Sequence, residues 1–164
     1  DQIDAVPTAA EVWAATPRTL TQTAAETVAA VSGSDLTIVA AVSFDATLTG
    51  LTIPATWTKI TFTAKSSTSV ADSASWVQIV ETNPSAGTDG LLYLNGAAGT
   101  AAQATLTVDQ AAGTIAIHIT DNATAAFTRV LSGGYDIKCL TADGESEQLT
   151  EANVTITLTE TRTI

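Results

Sequence analysis

The sequence predicts an all-β protein, an antiparallel β-sandwich of about 7–8 strands that follows a short helical N-terminal arm. Three observations lead to this fold class. Threonine, whose branched side chain suits a pleated strand, is together with alanine the dominant residue type. Short runs alternate apolar and polar side chains, as expected of antiparallel strands with one buried face. Turn sequences such as Asn95-Gly96 and Asp143-Gly144 separate these runs.

Residues 1–34 differ in composition from the rest and are predicted to form an N-terminal arm with two short helices. Residues 8–16 read TAAEVWAAT, and residues 23–31 read TAAETVAAV. A threonine followed three residues later by glutamate is the capping-box pattern that begins a helix. Pro17 ends the first predicted helix, and Gly33 ends the second. The similarity of the two segments is also compatible with chance in a chain so rich in alanine and threonine.

Residues 35–164 are predicted to form the β-sandwich domain. The alternation is most regular in three runs, so the Leu, Val and Ile side chains of 104–108, 114–120 and 153–159 are expected in the core. The complete set of predicted strands is 35–44, 56–64, 75–81, 90–94, 104–108, 114–120, 135–140 and 153–159.

Two local patterns lie between the predicted strands. Residues 121–127 predict one helical turn, which we expect Asp121 to cap. Tyr135 begins a strand two residues after Gly133. This spacing is typical of a tyrosine corner, in which the tyrosine hydroxyl ties a crossover between sheets to its own nearby backbone.

The charge balance excludes two classes of partner. The chain carries 6 basic and 17 acidic residues, which gives a net charge of −11 at pH 7. Nucleic-acid binding requires clustered Lys and Arg, so we expect no nucleic-acid partner. An anionic membrane surface is disfavoured for the same reason. No apolar run reaches the roughly 18 residues that a transmembrane helix requires, so we expect no membrane association.

Few residues in the sequence suit catalysis or metal binding. His118, the single histidine, lies on the threonine side of an alternating run and is expected at a strand surface or interface. Cys139, the single cysteine, shares a predicted face with Tyr135 and is expected to be a buried, inert thiol. The acids of residues 143–151 do not match the spacing of a calcium-binding loop. We therefore expect a protein that is not an enzyme, with no catalytic residue, no metal and no cofactor.

Two stretches of the sequence resemble structural proteins of tailed bacteriophages. Residues 10–21, AEVWAATPRTLT, resemble the VWxxxxRTLT segments that recur in those proteins. Residues 34–161 resemble the N-terminal immunoglobulin-like domain of phage upper baseplate proteins. Four features carry this likeness. They are a polar strand start at residues 33–36, a stretch that ends in lysine at residues 61–65 and is followed by Asp72, a GxY strand at residues 133–137, and a closing hairpin at residues 143–162.

The resemblance implies an immunoglobulin-like fold for the sandwich and a non-enzymatic structural role in a tailed-bacteriophage virion. Such a protein would be a baseplate or tail-fibre adaptor, or a capsid decoration or fibre protein, that acts by packing against other proteins. The implied partners are other virion proteins and further copies of the chain, with a trimer favoured. The implied location is the virion.

Trp13 is the candidate interface anchor of the arm. A short exposed helix rarely carries a tryptophan unless another surface covers it, and aromatic side chains dominate protein interfaces. Val12, Arg18, Leu20 and Val28 accompany it, and these five residues are predicted to contact another copy or a neighbouring virion protein. The alternative is that they pack on the β-domain of their own chain.

A carbohydrate- or host-surface-binding β-sandwich module is the alternative function. Binding sites usually combine aromatic walls with a few placed polar groups, and Trp57 and Trp76 are the aromatic candidates. Strand tryptophans in sandwiches also lie in the core, which would leave neither ring free for a ligand.

Overall fold

The computed structural model describes residues 27–31 and 33–158, and within them the protein is all-β. One short helix, α1 (Asp121–Thr124), and two single 3₁₀ turns accompany the strands. The strands of the described residues are β1 (Thr27–Val31), β2 (Leu36–Val39), β3 (Phe44–Thr49), β4 (Trp57–Lys65), β5 (Val77–Thr82), β6 (Gly90–Leu94), β7 (Ala97–Ala98), β8 (Ala104–Asp109), β9 (Thr114–Ile119), β10 (Leu131–Thr141) and β11 (Ser146–Thr157).

The strands form two sheets. The larger sheet has the order β2-β11-β10-β4-β5-β6-β7, and the smaller has the order β1-β3-β9-β8. Most neighbours are antiparallel, as the alternation predicts, but β1 pairs with β3 and β2 pairs with β11 in parallel. The expectation of a purely antiparallel arrangement is therefore wrong at these two pairs.

The predicted strand 35–44 is in fact two strands that belong to different sheets. β2 pairs with β11 in the larger sheet, whereas β3 pairs with β9 in the smaller one. Between them the chain turns at Ala40 and Ala41, and Ala41 has a φ of 59°. The predicted count of about 7–8 strands is too low because of this division, and because β1 and the two-residue β7 were not predicted.

Strand β1 contradicts part of the predicted arm. The second helix was predicted to include Thr27–Val31, but these residues form a strand that pairs with β3. Thr27, Val28 and Val31 are β-branched, and such residues favour strands over helices. The first predicted helix and the start of the second lie outside the described residues, so the division into arm and β-domain stays a prediction.

Side chains from both sheets meet in one hydrophobic core. The alternation predicted for β9 is confirmed, since Ile115, Ile117 and Ile119 are fully buried. On β11 the prediction holds for Ile156 but is wrong for Leu158, which is 41% exposed because the strand ends at residue 157. Inward-facing side chains of β4 and β10 complete the centre of the core: Ile60, Phe62, Ala64, Tyr135, Ile137 and Cys139.

Helix α1 confirms the predicted helical turn and corrects its cap. Thr120 has extended backbone angles, and its Oγ1 accepts a hydrogen bond of 3.3 Å from the backbone N–H of Ala123. The carboxylate of Asp121 instead accepts from the N–H of Asn122. No helix within the described residues is long and apolar enough to cross a membrane.

The predicted tyrosine corner is wrong in its partner. The Tyr135 hydroxyl donates to the carbonyl of Ser34, which lies 101 positions earlier in the chain, and not to the crossover that precedes β10. A second bond supports the same junction, because Asp35 Oδ1 accepts from the backbone N–H and the side-chain amide of Asn153. These bonds join the start of β2 to β10 and β11.

Candidate functional site

A row of polar side chains crosses the outward face of the larger sheet. Tyr135 and Ile137 of β10 face the core, so Asp136 between them faces outward. The strand register places Glu151 of β11 and Thr63 of β4 directly opposite Asp136. Gln78 of β5 lies opposite Thr63 and donates a 3.1 Å hydrogen bond to its hydroxyl oxygen.

A cleft of about 420 Å³ opens on this face, and we call it the outer cleft. Its floor is formed by β4, β10 and β11, and the segment that follows β4 forms one wall. The lining residues are Thr63, Lys65, Ser67, Thr68, Gly134, Tyr135, Asp136, Glu151, Ala152 and Asn153.

Lys65 fixes that wall to the sheet. Its side chain is buried, and its Nζ donates to the carbonyl of Val70 at 3.1 Å and to Asp72 Oδ1 at 2.8 Å. The hydrogen bond from Lys65 and its positive charge hold the pKa of Asp72 below its ordinary value, although partial burial of Asp72 opposes the shift. Lys138 adds to this attraction. The ion pair between Lys65 and Asp72 therefore holds the wall of the cleft against the sheet.

Asp136 is the unusual residue of the outer cleft. It is 8% exposed, and its Oδ2 lies 3.4 Å from Lys138 Nζ. Its Oδ1 is the only buried side-chain nitrogen or oxygen in the described residues that has no hydrogen-bond partner. An unsatisfied buried polar group costs about 1–3 kcal/mol, and more when it is charged. Asp136 is thus held in an environment that leaves one acceptor unused.

The charges of the cleft favour a cationic ligand. Two lysines, Lys65 and Lys138, lie near three acids, Asp72, Asp136 and Glu151, which leaves one surplus negative charge. Asp136 and Glu151 are directly opposite on neighbouring strands, and like charges at such positions destabilise a sheet. No histidine or cysteine lines the cleft. The two carboxylates of the lining are therefore suited to accepting hydrogen bonds from a cation.

His118 lies on the outward face of the smaller sheet, consistent with the prediction. Its Nδ1 is 2.8 Å from Asp45 Oδ1, and Thr105 lies opposite His118 on β8. The depression around these residues has a volume of only about 130 Å³. Among the described residues, Asp45 is the side chain that forms a hydrogen bond with His118, and Thr105 forms none with it.

Cys139 is fully buried, as the sequence predicts. Burial raises the pKa of its thiol, and the negative charge of Glu147 raises it further. Both effects suppress the reactive thiolate at neutral pH. Among the described residues, no group of three or more His, Cys, Asp or Glu side chains could hold a metal ion.

Trp57 and Trp76 do not form a shared aromatic platform. Both are half-buried and pack against the core, and neither lines the outer cleft. Trp57 begins β4, whereas the backbone N–H of Trp76 donates to Ala64 near the other end of that strand. The seven residue-to-residue steps from Trp57 to Ala64 span roughly 23 Å of extended chain, which is too far for one sugar ring to contact both side chains.

The predicted interface residues fall mainly outside the described part of the chain. Val12, Trp13, Arg18 and Leu20 lie in residues that the structure does not describe. Val28 lies in β1, where its backbone is opposite Ala46 of β3, but its side chain is not described. The contact between this set and another copy stays a prediction.

Sequence reasoning missed the residues of the outer cleft. Alternation along β10 does predict that Asp136 lies on the other face of the sheet from Tyr135 and Ile137. An acid between two apolar residues of a strand is a detectable signal in the sequence. The proximity of Lys65 and Glu151 depends on the register in which β10 pairs with both β11 and β4, and β4 ends more than sixty residues before β10 begins. That register is not readable from local patterns.

No protein-family model matches the chain, and a search of curated proteins finds no similar sequence.

Proposed function

We propose that the chain is a non-enzymatic structural protein of a tailed-bacteriophage virion, in which an immunoglobulin-like sandwich packs against other virion proteins. The strand order is the observation that carries the fold part of this proposal. The smaller sheet, β1-β3-β9-β8, has the same order as the A-B-E-D sheet of immunoglobulin-like domains, but β1 is parallel to β3, whereas that sheet is antiparallel throughout. In the larger sheet, β2-β11-β10-β4-β5-β6 corresponds to the A′-G-F-C-C′-C″ order of the variable type.

The virion role draws on the sequence resemblance and on the surface chemistry. Residues 10–21 and 34–161 resemble phage structural proteins, in which such domains act by packing. A net charge of −11 keeps free copies soluble before they assemble and favours partners with positive surfaces. The proposed partners are other virion proteins and further copies of the chain, with a trimer favoured.

Removal of the coding sequence from the phage genome tests this role. We expect particles that are fewer or less stable than wild type, and full rescue by the wild-type chain supplied in trans. His118→Ala is expected to rescue equally well, because a packing role needs no histidine chemistry. Normal particles without the chain would overturn the proposal, and failure of a folded His118→Ala variant to rescue would overturn its non-enzymatic part.

A carbohydrate- or host-surface-binding module is the second candidate, and the polar lining of the outer cleft is the observation in its favour. Tyr135 is the only aromatic residue of that lining, and it is almost completely buried. The cleft therefore offers hydroxyl-binding groups without an exposed ring for a sugar to stack on. A glycan array with the purified chain separates the candidates: specific glycan binding would favour the second.

A further inference from the structure

We propose that the outer cleft receives the guanidinium group of an arginine from a partner protein, which donates hydrogen bonds to Asp136 and Glu151. The arginine belongs to a neighbouring virion protein, and in this respect the inference rests on the proposed function. Three features of the cleft support it: an unused buried acceptor, two opposed acids and a displaceable lysine.

The unused acceptor is Asp136 Oδ1, which no described side chain or backbone group contacts through a hydrogen bond. Buried polar groups in folded proteins are normally paired, so an unpaired carboxylate oxygen in the floor of a cleft indicates a missing donor. Lys65 already spends two of its donors on Val70 and Asp72. The third donor of its ammonium group makes no hydrogen bond to Oδ1 either, so none of the described residues supplies the missing donor.

Glu151 makes the site specific for a planar cation with several donors. It lies directly opposite Asp136 on β11, is exposed, and forms no ion pair with a described residue. Side chains at such positions have Cβ atoms about 4.5–5.5 Å apart, so one group can reach both. A guanidinium presents five N–H donors in a fixed plane, whereas an ammonium is a point charge. Binding also removes the repulsion between the two carboxylates.

Lys138 is the side chain that has to move. Asp136 Oδ1 is covered in the unbound chain, and Lys138 contacts the other oxygen only at 3.4 Å, with 46% of its side chain exposed. This contact is long for a charge-assisted hydrogen bond, which is typically about 2.7–2.9 Å. Lys138 can therefore swing into solvent and leave Asp136 Oδ2 free for the guanidinium, whose plane then also faces Glu151.

The test uses N-acetyl-arginine amide as the probe and the chain labelled with ¹⁵N. We expect saturable chemical-shift changes at the backbone amides of Gly134, Asp136, Glu151 and Asn153, and none at Thr105 on the other sheet. N-acetyl-citrulline amide has the same shape without the charge and should cause no change. N-acetyl-lysine amide should bind more weakly. Equal binding of either control compound would overturn the assignment to a guanidinium.

Two conservative variants locate the site. Asp136→Asn and Glu151→Gln are each expected to weaken binding of the arginine probe by about tenfold or more, since hydrogen bonds to charged groups are lost. Glu147→Gln, an exposed acid on the same strand, should bind as the unaltered chain does. If Asp136→Asn fails to fold, the Glu151→Gln variant, whose substitution is at an exposed position, still shows whether the probe binds at the outer cleft. Unchanged binding by the folded variants would overturn the inference.

The probe experiment separates this inference from the proposed function because it uses no particle. Arginine binding by a chain that is absent from virions would support the site and overturn the virion role. A chain that is present in virions but does not bind the probe would support the virion role and overturn the arginine site.

Discussion

The hydroxyl of Tyr135 donates a 2.7 Å hydrogen bond to the backbone carbonyl of Ser34. The bond connects the start of β2, at the edge of the larger sheet, to β10 inside it. The ring of Tyr135 is buried and lies 5.6 Å from the ring of Phe62, measured between centroids. One side chain therefore fills the core and also satisfies a backbone carbonyl where the chain enters the sheet.

Replacement of Tyr135 by Phe should lower the free energy of unfolding by about 0.5–1.5 kcal/mol. The variant keeps the ring and its contact with Phe62 but leaves the Ser34 carbonyl without this donor. Urea denaturation measures the change. Tyr93→Phe is the matched control, because the hydroxyl of half-buried Tyr93 bonds to no described residue, and we expect a change within about 0.5 kcal/mol. Equal effects of the two substitutions would contradict the role assigned to the bond.

The same hydroxyl should make stability depend on alkaline pH. Burial raises the pKa of Tyr135 to about 12 from an ordinary 10.0, with a smaller contribution from the charge of Asp35. The unfolded chain loses this proton first, so the contribution of Tyr135 is complete below about pH 10 and is lost as the pH rises towards about 12. Unfolding measured across this range should show a steeper loss for the wild type than for Tyr135→Phe, and identical slopes would refute the assignment.

Ile117→Ala should lower the free energy of unfolding by about 2–5 kcal/mol, because it removes buried methyl and methylene groups and leaves a cavity. Ile117 lies in the middle of β9 and is 1% exposed. The matched control is Leu158→Ala at an exposed position beyond β11, where we expect a change within about 0.5 kcal/mol. Thermal or urea unfolding compares the two, and a control as damaging as Ile117→Ala would show that the core is placed wrongly.

Two adjacent glycines of β10 should respond differently to alanine. A Cβ atom at Gly133 would lie 2.3 Å from the carbonyl oxygen of Lys65 and 2.8 Å from the ring of Trp76. Relief of these contacts requires the backbone to shift, so Gly133→Ala should cost about 1–3 kcal/mol. At Gly134 the nearest atom, the carbonyl oxygen of Ala152, is 3.5 Å away, and the substitution should change stability by less than about 1 kcal/mol. A neutral Gly133→Ala variant would contradict the packing of β10 on β4.

The parts of the fold that could be predicted are the strands in which apolar and polar residues alternate along the sequence. The isoleucines of β9 repeat at every second residue, and all three are buried. The crossing between sheets after β2 could not be predicted, because Ala41 adopts its positive φ without the glycine or asparagine that usually marks such a turn. The parallel pairing of β2 with β11 joins segments more than one hundred residues apart, and no local pattern specifies it.

The outer cleft was beyond sequence reasoning for a related reason. Asp136 alone looks like an ordinary outward-facing strand residue. Three further observations indicate that Asp136 belongs to a binding site: Glu151 lies opposite it on β11, Lys65 lies on the neighbouring strand β4, and its Oδ1 has no hydrogen-bond partner among the described residues. These are properties of the assembled sheet. The arm residues, with Trp13 at their centre, remain a prediction from composition and resemblance.

Quantitative mass spectrometry of gradient-purified phage particles, prepared from cells in which the gene for the chain is expressed during infection, tests the proposed structural role in a virion. We expect to find the chain in intact particles, at a fixed ratio to the major capsid protein that survives high-salt washing. After mild disruption it should follow either the heads or the tails. Detection only in the soluble fraction of the lysate, or at a ratio that falls with each purification step, would overturn the proposed role in a virion.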